Sequence, residues 1–366
     1  MKFIGFILMM IASFNIAGAS EKIRLSSGYD MPKVALGTAT IPAEKMELSI
    51  FNALESGYRH IDTAFDYFNE AGIGRALKKW FGKGGKREEL FITSKLPDRA
   101  NRPESVERYL KKSLTDLNLD YIDMYLIHKP WTIKDTEDFD WHGRANGTPT
   151  FENPDLLAVW KVMEKQVKEG RVKSIGLSNF NASQILRIYN AAEIKPSNLQ
   201  VECHAYFQQN ELYQFCRDYK IAMTAYSPLG SRIFRHFFHN GTAKDLMPLV
   251  ELKVVKEIAH KYNKSPAQIL LRHLVQAGRA VTPKSADSQR QRENLDIFDF
   301  RLDIKDVLKL NDLDKGEHGR IFNFVALVPG VEKHPEFPFI ESLEMEKKLS
   351  CMKENVIERT NSENCG

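Results

Sequence analysis

Eight apolar runs of strand length, each leading into a stretch of helical periodicity, predict an α/β fold: a (β/α)8 TIM barrel with long loops on its C-terminal face. The strand interiors read as continuous apolar runs rather than alternating ones, as expected when both faces of a parallel sheet are covered. An open doubly wound sheet is the competing arrangement, and it calls for a Gly-x-Gly-x-x-Gly turn after the first strand. The chain has none there.

The strands are placed at Val34–Leu36, His60–Thr63, Leu90–Lys95, Ile122–Ile127, Ser174–Ser178, Leu199–Glu202, Met223–Tyr226 and Ala280–Pro283. Between them, helical spacing runs over Lys45–Glu55, Ile73–Phe81, Pro103–Leu117, Leu156–Glu169, Ala182–Ala192, Leu212–Tyr219 and one long stretch from Val250 to Val275. Asn181, with Gln184 three residues on, has the pattern of a helix N-cap. Gly72 and Gly74 enter a helix and read as packing positions. Three segments fall outside the alternation: Trp131–Asn153, Ser231–Pro248, and the Gly-, Pro- and Phe-bearing chain after Asp314. Loops that leave the C-terminal ends of barrel strands are where such folds build their sites.

The 366 residues are 43% hydrophobic and 27% charged, ordinary for a globular protein, and carry a net charge of +4. With no basic stripe, nucleic acid is excluded as the expected partner. The N-terminus reads differently. Lys2, the apolar run Phe3–Ile16 and Ala17-Gly18-Ala19 have the form of a secretory signal peptide, with cleavage expected after Ala19. The expected organisation is thus a signal peptide over 1–19, a barrel over 20–340, and a charged tail over 341–366, in a secreted protein. No second long apolar stretch suggests a membrane anchor. Cys203 reads as a buried free thiol, whereas Cys351 and Cys365 in the tail are spaced to close a small loop. Sequons at Asn146, Asn181, Asn240 and Asn263 are no more than chance supplies. No cluster has metal-ligand spacing.

The chemistry lies on one rim. Asp62, Lys95 and His128 fall at the C-terminal ends of the second, third and fourth strands, and Tyr67 in the loop after the second. A phenol has an ordinary pKa of about 10, but it can donate a proton when a nearby ammonium stabilises its phenolate. A histidine on an apolar strand is more often a satisfied core residue, a lone lysine a surface charge, and a lone aspartate a helix cap. Converging on one rim, the four have the composition needed to reduce a carbonyl.

Gly57-Tyr-Arg-His-Ile-Asp62-Thr-Ala-x-x-Tyr67-x-Asn-Glu70 strongly resembles the signature of the aldo-keto reductase family. So do Ile175-Gly-Leu-Ser-Asn-Phe180, Gln200-Val-Glu-Cys-His204, Tyr226-Ser-Pro-Leu-Gly230 and Pro283-Lys-Ser285 with Arg290 and Glu293-Asn294. The likeness runs in order from about Ile23 to Phe339. It implies a monomeric barrel that binds NADPH across its mouth and reduces an aldehyde or ketone, the small-molecule substrate, to an alcohol. Tyr67 would be the proton donor, Lys95 would lower its pKa, Asp62 would pair with Lys95, and His128 would orient the carbonyl. Cofactor contacts are implied at Thr38, Asp62, Ser178, Asn179, Gln200, Tyr226, Ser227, Leu229, Lys284, Ser285, Arg290, Glu293 and Asn294. Among these, Tyr226 would stack on the nicotinamide, and Lys284 and Arg290 would grip a 2′-phosphate.

The chain departs from the aldose reductase pattern where large rings are common. Ala39 follows Thr38, Lys129 follows His128, and Pro97 follows Lys95-Leu96. Loss of three Trp rings predicts a wider mouth, partly refilled by Trp131, Trp141, Phe322, Phe324, Phe337 or Phe339. The expected substrate is therefore a bulky lipophilic or steroid-like ketone, similar to the 3-oxo-ecdysteroids that insect members reduce. A broad aldehyde reductase and a catalytically quiet NADPH-binding protein are the alternatives.

Overall fold

A computed structural model describes residues 21–135, 149–231 and 245–340. The expected signal peptide, Trp141, the sequons at Asn146 and Asn240, Cys351, Cys365 and the tail lie outside the described residues. Strands β1 (Lys22–Arg24) and β2 (Asp30–Pro32) pair as an antiparallel hairpin. Leu25 and Met31 from this hairpin pack with Phe91, Met124, Leu126 and Ala280 at the N-terminal end of the barrel.

The barrel strands are β3 (Leu36–Gly37), β4 (His60–Asp62), β5 (Phe91–Leu96) and β6 (Ile122–Ile127), followed after a small hairpin by four more. The hairpin is β7 (Thr132–Ile133) with β8 (Phe151–Glu152), and it occupies the described ends of the first long loop. The remaining strands are β9 (Val172–Ser178), β10 (Asn198–Glu202), β11 (Ala222–Tyr226) and β12 (Ala280–Thr282). All eight barrel strands run parallel, in the order β3-β4-β5-β6-β9-β10-β11-β12. The seam closes where Val34 bridges Val281 and Gly37 bridges Lys284. Across it the Gly37 amide donates to the Pro283 carbonyl at 3.1 Å, and a Cβ on Gly37 would stand 2.7 Å from the Thr282 carbonyl oxygen. Glycine is required there for the backbones to approach.

Strand register explains the convergence of the site. Asp62 pairs with Thr93, and Lys95 pairs with Leu126. Side chains two residues apart share a face, so Asp62 and Lys95 point the same way, displaced by one step of the tilted barrel. His128 lies two residues beyond Leu126 and takes the next step.

Helices α1 (Ala43–Glu55), α2 (Glu70–Phe81), α3 (Pro103–Leu117), α4 (Leu156–Lys168), α5 (Ala182–Ala191) and α6 (Asn210–Asp218) follow the predicted spans to within a few residues. Gly74 is a packing position, as expected: a Cβ there would meet the Asp116 carbonyl oxygen at 2.2 Å. Asn181 caps α5 in a full capping box with Gln184. Cys203 is a buried free thiol, and so is Cys216.

One expectation fails. The single helix from Val250 to Val275 is two helices, α7 (Lys253–Tyr262) and α8 (Pro266–Gln276). Asn263 takes a left-handed conformation (φ 51°) that ends α7, while Ser265 and Gln268 form a capping box that starts α8 at Pro266. After β12, the eighth strand, the chain forms two further helices, α9 (Ser288–Leu295) and α10 (Ile304–Asn311). Asp287 and Asp303 cap them through their side chains.

Behind the site, Glu70 is buried at the start of α2, accepting hydrogen bonds from Ser94 Oγ at 2.6 Å and Ser113 Oγ at 2.8 Å. Burial raises its pKa from 4.5 to about 7. The folded state therefore holds this proton more tightly than the unfolded chain, so its contribution is full below pH 4.5 and fades as pH rises through 7. Denaturant unfolding should show wild-type stability falling by about 3 kcal/mol over that interval relative to E70Q. Parallel pH profiles for the two proteins would refute the assignment.

Candidate active site

Asp62 ends β4, Lys95 lies on β5, and His128 directly follows β6. Tyr67 closes a one-turn 3-10 helix, Phe65–Tyr67, and Phe68 then adopts a left-handed φ of 52° that turns the chain into α2. Asn69 pins this turn from both sides. Its Nδ2 donates to the Thr38 carbonyl at 3.0 Å, and its Oδ1 accepts from Thr63 Oγ1 at 2.9 Å. Thr38 in turn donates through its hydroxyl to the Asp62 carbonyl at 3.0 Å.

Lys95 is fully buried. Its ammonium donates to Asp62 Oδ1 at 2.7 Å and to the Thr63 carbonyl at 2.8 Å, and it stands 5.1 Å from the centroid of the Tyr67 ring. The second Asp62 oxygen accepts from Gln200 Nε2 at 2.6 Å. A buried ion pair is stable only when its remaining valences are met in this way. Burial is the largest influence on Lys95 and acts downward, but the Asp62 and Tyr67 charges and the Asp62 hydrogen bond outweigh it and raise the pKa. The ammonium stays charged.

Tyr67 corrects an expectation. Lys95 does act to lower the phenol pKa, but burial acts upward more strongly and Asp62 adds to it, so the net shift is upward. The phenol is thus held protonated, as a general acid must be before it donates. His128 meets Tyr67 edge to face, with ring centroids 5.7 Å apart. Burial, then Lys129 and Lys95, push the imidazole pKa well below its ordinary value, so it is neutral. Its backbone is fixed by its amide donating to the Leu96 carbonyl at 3.1 Å and by Asn179 Nδ2 donating to its carbonyl at 2.9 Å.

The residues assigned to cofactor contact form a second arc. Asn179, in a left-handed conformation (φ 64°), contacts Ser178 Oγ at 3.2 Å and accepts from the Tyr226 hydroxyl at 2.8 Å. Ser227 (φ 50°) and Gly230 (φ 71°) shape the turn that carries Leu229. At the seam, Lys284 is exposed, yet desolvation of its ammonium and the nearby Arg290 charge both depress its pKa. Two exposed cations whose charges are felt by one another fit a phosphate dianion. Ser285 Oγ accepts from the Asp287 amide at 3.1 Å, Asn294 is buried, and Glu293 accepts from Gln289 Nε2 at 3.0 Å. The donor set therefore fits a phosphorylated dinucleotide, whose ring end would meet Ser178, Asn179, Gln200 and Tyr226.

Two groupings were missed in sequence. Glu202 is buried and accepts from the Ile321 and Phe322 amides at 2.8 and 2.9 Å, with His204 Nε2 on the same carboxylate at 2.9 Å. It moors the C-terminal loop, and its only local signal was its place in the Gln200–His204 motif. The moored loop carries Phe322, Phe324, Phe337 and Phe339 into a buried cluster with Trp131. Trp131 lies 5.3 Å from Phe324, and Phe322 meets Tyr226 at 5.5 Å. Five of the six rings expected to refill the mouth thus gather beside Tyr226, and Trp141 lies outside the described residues. The second missed grouping is ionic: Lys129 and Trp131 Nε1 both donate to Asp98 Oδ2, at 2.9 and 3.1 Å. Among the described residues, no group of three or more His, Cys, Asp or Glu side chains is placed to hold a metal ion, and no helix is long and apolar enough to cross a membrane.

Comparison with known proteins agrees with this geometry. A model of the aldo/keto reductase family matches residues 33–315. Aldo-keto reductase family 1 member A1 of Mus musculus is 40% identical over 328 residues, 87% of this chain and 98% of that protein. The NAD(P)H-dependent D-xylose reductase of Scheffersomyces stipitis is 42% identical over 299 residues, 80% of this chain and 93% of that one. Among solved structures, the aldose reductase of Schistosoma japonicum superimposes with a TM-score of 0.78 at 39% identity, covering 87% of this chain and 98% of that one. With its barrel, its rim and its sequence in accord, this chain belongs to the aldo/keto reductase family.

Proposed function

We propose that the chain is a secreted, NADPH-dependent carbonyl reductase in which Tyr67 is the proton donor and a bulky lipophilic ketone is the preferred substrate. The observation that carries the reaction is the buried chain Gln200–Asp62–Lys95–Tyr67 ending beside His128. Bound reduced nicotinamide supplies the hydride. The protein's part is to place the carbonyl oxygen between the Tyr67 hydroxyl and the His128 imidazole. As negative charge develops on that oxygen, both groups donate to it without reorganising. Tyr67 then gives up its proton, and the phenolate left behind is stabilised by the Lys95 ammonium. The carboxylate of Asp62 keeps that ammonium charged in a site where burial alone would discharge it.

Turnover of Y67F should fall by at least about 10²-fold while NADPH affinity, read by fluorescence titration, stays near wild type. Retained turnover would overturn the acid assignment, whereas a wild type that binds NADPH without turning over a carbonyl would favour the catalytically quiet alternative.

The lipophilic substrate is supported by the aromatic wall of Trp131, Phe322 and Phe324, the phosphate by Lys284 and Arg290. A second reading, a small sugar-like aldehyde, is favoured by the likeness to a D-xylose reductase. Steady-state kinetics with a 3-ketosteroid and glyceraldehyde, each with NADPH and NADH, separate the two. A higher kcat/KM for the steroid, and for NADPH, is expected. Preference for glyceraldehyde would sink the bulky-substrate reading, and preference for NADH the phosphate site. Protein recovered from culture medium should begin at Ser20, as the Ala17-Gly18-Ala19 signal requires. An intact Met1 end found only inside cells would refute secretion.

A further inference from the structure

Beside the Tyr67–Lys95–Asp62 chain stands a second buried cluster that the reaction as described does not use. Asp66 precedes Tyr67 on the same 3-10 turn and is buried. Its Oδ1 accepts from Arg99 Nη2 at 3.1 Å, and Lys129 Nζ, bound to Asp98, stands 3.9 Å from its Oδ2. His128 Nδ1 stands 3.8 Å from the same Oδ2. Each of these two atoms is buried and has no hydrogen-bond partner. Leaving a buried polar atom unpaired is costly, because its lost hydration is not replaced. Here two such atoms face each other across a gap under about 1 Å longer than a hydrogen bond. One proton between them satisfies both.

We propose that Asp66 is a positioning residue that shares one proton with His128 Nδ1, and thereby keeps the other imidazole proton on Nε2, the nitrogen left to donate to the substrate carbonyl. The pair then holds two protons and no net charge. It can be drawn as a carboxylic acid beside a neutral imidazole, or as a carboxylate beside an imidazolium. Nε2 carries hydrogen in both. A carboxylate beside an imidazole with its single proton on Nδ1 would leave Nε2 bare, and His128 could accept but not donate. The surroundings favour the first form. Burial and Asp98 raise the Asp66 pKa against the opposing pull of Lys129 and Arg99, while burial, Lys129 and Lys95 lower that of His128. Tyr125 on β6 also feels the Asp66 charge.

The inference rests on the reading of His128 as a donor, and it is tested without turnover. NMR of [15N]histidine-labelled protein, with the resonance assigned by its loss in H128Q, reports the tautomer directly. Wild type near neutral pH should show His128 protonated on Nε2, and Y67F should show the same, which separates this result from the acid assignment. D66N should keep that tautomer, since an amide N–H can replace the shared proton while the amide oxygen keeps Arg99. D66L should lose it and lose about tenfold or more in kcat, with NADPH affinity unchanged. D66N should recover most of the kcat that D66L loses, and should lack the alkaline limb that loss of the shared proton gives wild type. A wild-type His128 protonated on Nδ1, or a D66L protein with wild-type tautomer and kcat, would overturn the proposal. If D66L does not fold, D66N decides alone: Nδ1 protonation in that variant is equally fatal.

Discussion

Everything at the mouth of this barrel depends on keeping one ammonium charged where there is no water to solvate it. Taking an ion of this size into the protein interior costs several kcal/mol even after relaxation, and only near-ideal geometry recovers it. Lys95 reaches that geometry because three strands contribute at once. Asp62 comes from β4, the lysine itself from β5, and Gln200 from β10, completing the carboxylate on its far side. Strand register sets these placements, and the register is set by a barrel whose eight strands must close. The chemistry is thus only as precise as the seam between Gly37 and Lys284 allows.

Much of this was legible in sequence. The four rim residues stand out because a strand pattern with a known end places them at that end, and period-two alternation aims them at one point. Asn181 with Gln184 and Gly74 were readable for a similar reason: each obeys a rule that spans only a few residues. The break at Asn263 was also written locally, in Asn-Lys-Ser-Pro, but the amphipathic spacing on either side continues across it and concealed it. What could not be read is what burial and distance decide. Glu202 meets amides 119 and 120 residues away. Asp66, Asp98, Arg99 and Lys129 come together only once the turns after β4, β5 and β6 are brought side by side. The net direction of the Tyr67 shift depends on how deeply the phenol is buried, which no spacing reports.

The departures from the aldose reductase pattern take on a physical meaning in this light. Pro97 and Lys129 replace expected rings, and the space is used by an ion-paired cluster rather than left open. Trp131 joins the two halves of the wall. Its indole N–H donates to Asp98 in the ionic cluster, and its ring packs on Phe324 in the aromatic one. One side of the wall is therefore held by directional bonds and the other by contact area.

The attachment of the C-terminal loop separates two histories that one chain could otherwise not keep apart. Glu202 holds Ile321 and Phe322 by their backbone amides, so the mooring is indifferent to which side chains those positions bear. Exchange of the loop's aromatic lining would leave these two hydrogen bonds in place, since neither uses a loop side chain. Two residues back on the same strand, Gln200 completes the Asp62 carboxylate and answers to a chemistry that tolerates no such exchange. A short stretch of β10 thus works as a socket: what is plugged in above it can be replaced by descent or by engineering without rewiring the reaction below.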